Sequence, residues 1–160
     1  MITKEEFIKY CNKNNIEFKK IPWINYYINN NWSQNIFISL CNYGYLKTAK
    51  WFFNNSDINI HMCNESAFIY SCKNGYLKIA KWLFNIENIN IHMDKDFAFI
   101  LSCLNNHLKV AEWLCSLCDD YSIEIENGKI KYKIKNCYER YLDEKDNLIQ
   151  IIKKLQLKII

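Results

Sequence analysis

Eight cysteines and three histidines are the residues of this 160-residue chain best suited to redox, metal or nucleophilic chemistry, and their spacing decides among these. One CxxC is present, Cys115-Ser116-Leu117-Cys118. A redox pair belongs at a helix N-terminus, where the dipole favours the thiolate. This pair falls at the end of an expected helix instead. A paired zinc site needs a second CxxC, and the sequence has none. Packing cysteines are therefore the expectation. His61 and His92 stand 31 residues apart, and repetition of a structural unit accounts for them without a shared metal. The sequence shows no phosphate-cradling glycine loop, no HExxH pattern and no nucleophile with an evident base. The chain is expected to carry no catalytic residue, no metal and no cofactor. Lys47, Lys78 and Lys109, preceded by Glu17, form a ladder that could track a phosphate backbone; a solvated outer face is the competing reading.

The elements that position these residues are read from a single stretch. Phe68-Ile69-Tyr70-Ser71-Cys72-Lys73-Asn74-Gly75-Tyr76-Leu77-Lys78-Ile79-Ala80-Lys81-Trp82-Leu83 recurs around Phe37 to Phe52 and Phe99 to Leu114, with Trp51, Trp82 and Trp113 spaced by 31. Fixed self-similarity of this kind marks a stacked array of supersecondary units. Within a unit, Ser66 is a plausible N-cap for a short apolar helix running to about Lys73. Gly44, Gly75 and Asn106, with Asn14 in a degenerate first copy, are the residue types that tolerate the left-handed conformation closing a helix. A second helix runs from about Tyr76 to Phe84, with Leu77, Ala80 and Leu83 on one face and Trp82 packed between repeats. Ile89-Asn90-Ile91-His92 alternates as an extended arm should. Cys41, Cys72 and Cys103 share one repeat position and read as small buried hydrophobes.

The totals agree with a helical stack. Half the residues are hydrophobic, so a core is available and global disorder is excluded. One Pro and three Gly are too few to punctuate an all-β fold. A net charge of +4 is too mild to imply nucleic acid by itself. Arg140 is the only Arg, a sign of AT-rich coding that discounts any single Lys. No apolar run approaches the ~18 residues of a membrane span, and the N-terminal residues do not read as a signal peptide. A cytoplasmic, reducing location is the expectation.

The two ends differ from the middle. Residues 1–30 read as a degenerate capping repeat, interrupted by Pro22, and residues 31–120 as three full repeats. From Tyr121 to Ile134 the chain alternates strictly around Asn127-Gly128, a strong hairpin signal. That register sets Glu126 against Lys129 and Glu124 against Lys131, with Ile125, Ile123 and Tyr121 opposite Ile130, Tyr132 and Ile134 on an apolar face. The exposed end of the third repeat is its expected seat. A last helix from about Tyr138, carrying Leu142, Leu148, Ile151, Ile152 and Leu155, completes a cap over residues 121–160.

Helix, Gly/Asn turn, Leu-x-x-Ala helix and Asn-containing arm resemble the ankyrin repeat. Gly75-Tyr76-Leu77-Lys78-Ile79-Ala80 stands where that family has Gly-His-Leu-Glu-Ile-Val, and Asn106-His107-Leu108 keeps the His. The period is 31 rather than the family's usual 33 or so, and Ser66-Ala67-Phe68-Ile69 replaces its Thr-Pro-Leu-His. The short period, Lys-Trp-Leu/Phe endings and Ile-Asn-Ile-His arms resemble repeat proteins of giant DNA viruses. The resemblance implies an all-α solenoid, probed by no substrate, that presents a rigid concave surface to a protein partner, a host protein if the viral likeness holds. It also implies where a monomer of this kind binds: arm tips and inner-helix ends. Those positions are Trp32, Gln34, Asn42 and Tyr43; then Met62, Cys63, Glu65, Lys73 and Asn74; then Met93, Asp94, Asp96, Leu104 and Asn105. They change from repeat to repeat while core positions do not, and Trp and Tyr are common interface anchors. Nucleic-acid binding through the Lys ladder and Lys129, Lys131, Lys133 and Lys135 is the alternative of a different class. Self-association through the ends of the stack is a third.

Overall fold

Each tryptophan of the repeat reaches back to the unit before it, and this contact builds the stack. A computed structural model describes residues 2–16 and 32–135. In it Trp51 stacks on Tyr10, with ring centroids 3.7 Å apart. Trp82 meets Phe37 and Phe53 edge-on at 6.1 and 5.9 Å, and Trp113 meets Phe68 and Phe84 at 6.2 and 5.7 Å. Trp82 thus lies between repeats, as its spacing predicts, but half-buried rather than fully enclosed. Lys50 and Lys81 hold their ammonium groups 5.7 and 5.8 Å above the Trp82 and Trp113 rings, a cation–π arrangement that uses the open face of each ring. The fully buried aromatics are Phe7, Phe37, Phe52, Phe68 and Phe99.

The described elements are α1 (Lys4–Lys13), α2 (Trp32–Asn42), α3 (Leu46–Asn55), α4 (Met62–Lys73), α5 (Leu77–Ile86), α6 (Met93–Leu104), α7 (Leu108–Cys115), β1 (Tyr121–Glu126) and β2 (Lys129–Ile134). Helices α2/α3, α4/α5 and α6/α7 form three antiparallel pairs, with α2 packed on α4 and α4 on α6. Cys41, Cys72 and Cys103 are buried between them, as small residues at a close helix contact should be. The inter-helix turns explain the Gly, Gly, Asn series. Gly44, Gly75 and Asn106 have φ of +83°, +76° and +58°. A β-carbon on Gly44 would come within 2.6 Å of the Tyr76 ring, and one on Gly75 within 2.6 Å of the His107 ring. The next repeat's aromatic therefore covers each glycine. At the third turn Asn106 donates from Nδ2 to the carbonyl of Gly128 at 3.1 Å.

Two local expectations need correction. In the first copy the left-handed residue is Asn15, with φ of +52°, while Asn14 has φ of −103°; this copy runs one residue out of register with the others. Thr3 caps α1 with a full capping box. Nor does Ser66 act as an N-cap: its hydroxyl donates to the carbonyl of Cys63. Cys63, Asn64 and Glu65 have φ between +54° and +57°, and Asp94, Lys95 and Asp96 between +53° and +62°. A left-handed turn thus precedes the right-handed body of α4 and of α6. The Asn59 and Asn90 side chains accept from the amides of His61 and His92 and so bend each arm into that turn.

The hairpin has the expected register throughout, from Tyr121↔Ile134 to Glu126↔Lys129. Its ion pairs run diagonally, however: Lys131 with Glu126 and, at 3.7 Å, Lys133 with Glu124. It sits on the third repeat, where Phe99 stacks on Tyr121 at 4.1 Å and meets the edge of Tyr132 at 5.8 Å. The predicted C-terminal helix with Leu142 to Leu155, the second helix of the first copy and Pro22 lie outside the described residues.

Candidate functional site

Gln34, Glu65 and Asp96 stand 31 residues apart and were expected at the partner surface. All three are buried. Gln34 accepts from the amide of Asn59 (3.2 Å) through Oε1 and donates from Nε2 to the Asn59 carbonyl (2.9 Å). Glu65 accepts from the amide of Asn90 at 3.0 Å and contacts Nδ1 of His61 at 3.1 Å. Asp96 accepts from the hydroxyl of Tyr121 and contacts Nδ1 of His92, both at 2.5 Å. One repeat position therefore clamps the following arm, and at the end of the stack it clamps the hairpin. The roles coincide while the side chain changes from amide to carboxylate. That change of type imitated a variable surface in the sequence. Gln34 and Glu65 hold the backbone of the following arm and Asp96 holds the Tyr121 hydroxyl, so none of the three can grip a partner without releasing a contact it already makes.

The remaining expected positions whose side chains are described stay at or near the surface. Tyr43, Cys63, Asp94 and Asn105 are exposed, and Asn42, Met62, Lys73, Asn74, Met93 and Leu104 are half-buried. Trp32 opens α2. Asn74 joins two repeats: its Nδ2 donates to the carbonyl of Asn42 (3.1 Å), to Oδ1 of Asn42 (2.8 Å) and to the carbonyl of Tyr70 (3.0 Å). That bridge draws the ends of α2 and α4 together beside Tyr43 and Tyr70. These two rings are 39% and 37% exposed, among the largest apolar groups left open on the repeats. Tyr70 was missed in the sequence because it lies one helical turn before the expected helix end. The same repeat position holds Ser39 and the buried Leu101, so its residue type gave no consistent surface signal. Lys73 places its ammonium 6.0 Å above the Tyr70 ring.

Lys47, Lys78 and Lys109 are exposed on the second helices, and Lys129, Lys131, Lys133 and Lys135 on the hairpin. His61 and His92 are each engaged by a carboxylate of their own repeat. Among the described residues no three His, Cys, Asp or Glu side chains converge as metal ligands, and no helix is long and apolar enough to cross a membrane.

The paired helices, closed by left-handed Gly/Asn turns and joined by arms that the preceding repeat clamps, define a helical repeat protein. The ankyrin repeat family model matches residues 36–127 in three copies. The chain belongs to the ankyrin repeat family, whose repeats are generally protein–protein interaction modules. No curated protein and no solved structure matches it significantly.

Proposed function

We propose that this protein is a non-enzymatic scaffold that binds a protein partner across the adjoining ends of α2 and α4. The observation that carries the reading is the exposure of both Tyr43 and Tyr70, with Lys73 over the Tyr70 ring, at helix ends that the Asn42–Asn74 bridge joins. Tyrosine supplies a large contact area with few torsions to immobilise, which suits an anchor. Trp32, Met62, Cys63, Met93, Asp94, Leu104 and Asn105 extend the surface along the arm tips and helix ends. The clamps at Gln34, Glu65 and Asp96 favour it indirectly by holding successive arms in one arrangement, so little ordering is left for binding. A host protein, met by a monomer in the cytoplasm, is the partner that the likeness of the Lys-Trp-Leu/Phe endings and arms to viral repeat proteins suggests.

The test is capture of binding proteins by the wild-type chain and by Tyr43→Ala and Tyr70→Ala, each checked for an unchanged melting curve. A specific partner should be retained by the wild type and weakened by about 1–2 kcal/mol in each variant. Full retention by both variants, with loss on charge reversal of Lys47, Lys78 and Lys109, would move the site to the outer face. Binding of that second kind to a nucleic acid would weaken steeply with salt, whereas a tyrosine-centred interface barely responds.

A further inference from the structure

The exposed ends of the repeats hold one more recurring arrangement. His61 presents Nδ1 to Glu65 and Nε2 to Oε2 of Glu87, at 3.1 and 3.0 Å. One period later, His92 presents Nδ1 to Asp96 at 2.5 Å. The residue one period after Glu87 is Cys118, and its Sγ lies 3.9 Å from Nε2 of His92. The carboxylate that faces the imidazole in the second repeat is thus replaced by a thiol in the third.

The hydrogen bonding sets the tautomer. Tyr121 donates its hydroxyl proton to Asp96 Oδ1, so the two oxygens beside Nδ1 of His92, that Oδ1 and the Tyr121 oxygen at 3.0 Å, are both placed to accept from Nδ1–H. Nε2 is then the unprotonated nitrogen, and it faces the thiol. Nucleophile, base and base-orienting carboxylate therefore stand in sequence, the arrangement that activates a cysteine. Both Cys118 and His92 are partly open to solvent, while Asp96 is fully buried and Tyr121 backs it from the hairpin. The packing cysteines differ. Burial pushes the Cys11 thiol up to about 11 and Cys103 to about 12, and raises Cys41 and Cys72 further. Cys115, the last residue of α7, is also raised, chiefly by burial and then by the neighbouring Cys118 and Glu112.

We propose that Cys118 is a nucleophilic modification site, with His92 as its base and Asp96 and Tyr121 as positioning residues, and that it is S-thiolated by exchange with an organic disulfide. The thiol proton passes to His92 Nε2. The thiolate attacks one sulfur of the disulfide, a new S–S bond forms to Cys118 as the old one breaks, and the departing thiolate takes the proton back from the imidazolium. One thiol is consumed and one released, and the reagent disulfide is the oxidant. The site is distinct from the tyrosine surface proposed above and does not depend on it.

The native full chain is treated at pH 7 with excess 5,5′-dithiobis(2-nitrobenzoate), and each cysteine's rate is followed by peptide mass mapping. Exposed Cys63 is the internal reference. Cys118 should react at least about tenfold faster than Cys63, a modest share of what a positioned base supplies. His92→Gln should remove that advantage, and His61→Gln should leave it intact. A smaller advantage, its survival in His92→Gln, or its equal loss in His61→Gln would overturn the proposal. If His92→Gln loses its helical circular dichroism, the imidazole ¹⁵N spectrum of the wild type decides. A proton on Nδ1 alone supports the assignment; a proton on Nε2 overturns it.

Discussion

Glu65→Gln should stabilise the protein, although it removes a buried and hydrogen-bonded side chain. Glu65 occupies the clamp position of Gln34, yet it offers only acceptors. Its Oε1 takes the amide of Asn90, while Oε2 is buried with no hydrogen-bond partner. In the preceding repeat the matching atom is Nε2 of Gln34, which donates to the Asn59 carbonyl at 2.9 Å. The 31-residue register sets the Asn90 carbonyl in the place of Asn59's. An amide at position 65 would therefore keep the Oε1 contacts to Asn90 and His61 and add the missing donor. An orphaned buried acceptor costs about 1–3 kcal/mol, and a net hydrogen bond contributes about 0.5–1.5. Against this stands the lost charge beside His61, whose side chain is 40% exposed, worth about 0–1 kcal/mol at such a site. The net gain is about 1 kcal/mol, a rise in Tm of about 2–4 °C for a chain of this size. Thermal and urea melts at pH 8 measure it. The reciprocal variant, Gln34→Glu, sets an oxygen against the Asn59 carbonyl and should cost about 1–3 kcal/mol. If Glu65→Gln lowers Tm while Gln34→Glu leaves it unchanged, the shared-clamp reasoning is wrong.

Three further outcomes follow from the packing. Gly75→Val should cost more than about 2 kcal/mol, from left-handed strain plus contact with the His107 ring; Gly128→Ala, at φ +73° with nothing within 4 Å of the added carbon, should cost only about 1, both read from urea midpoints. Asn64→Gly should raise stability by about 0.5–1 kcal/mol, because a glycine relieves the cost of a left-handed residue at φ of +54°; a lower midpoint would show that the turn is unstrained. Trp82→Ala, half-buried between Phe37 and Phe53, should cost about 2–4 kcal/mol and lower hydrogen-exchange protection in α2 and α3 as well as in α5. Protection lost from α5 alone would separate Trp82 from the repeat interface.

Repetition makes most of the fold legible in the sequence. Residues related by 31 positions face equivalent neighbours, so Cys41, Cys72 and Cys103 could be placed in the core, and Gly75 and Asn106 in left-handed turns. The hairpin register followed as surely, because strict alternation around Asn127-Gly128 admits one pairing that keeps isoleucines on one face. Three things depended on tertiary contact. Gln34, Glu65 and Asp96 looked variable, since a sequence displays side-chain type and not partner, and amide and carboxylate can hold the same backbone amide. The left-handed turns at Cys63–Glu65 and Asp94–Asp96 were hidden because no glycine marks them; the clamp beneath and the Asx bend before them compensate for the strain. The juxtaposition of Cys118, His92 and Asp96 was hidden most deeply. Cys118 reads as half of a CxxC at the wrong end of a helix, and His92 as an arm residue 26 positions earlier. Only the stacking of the last helix pair against its own arm brings thiol and imidazole together, and only the contact of Nδ1 with Asp96 leaves Nε2 facing the sulfur.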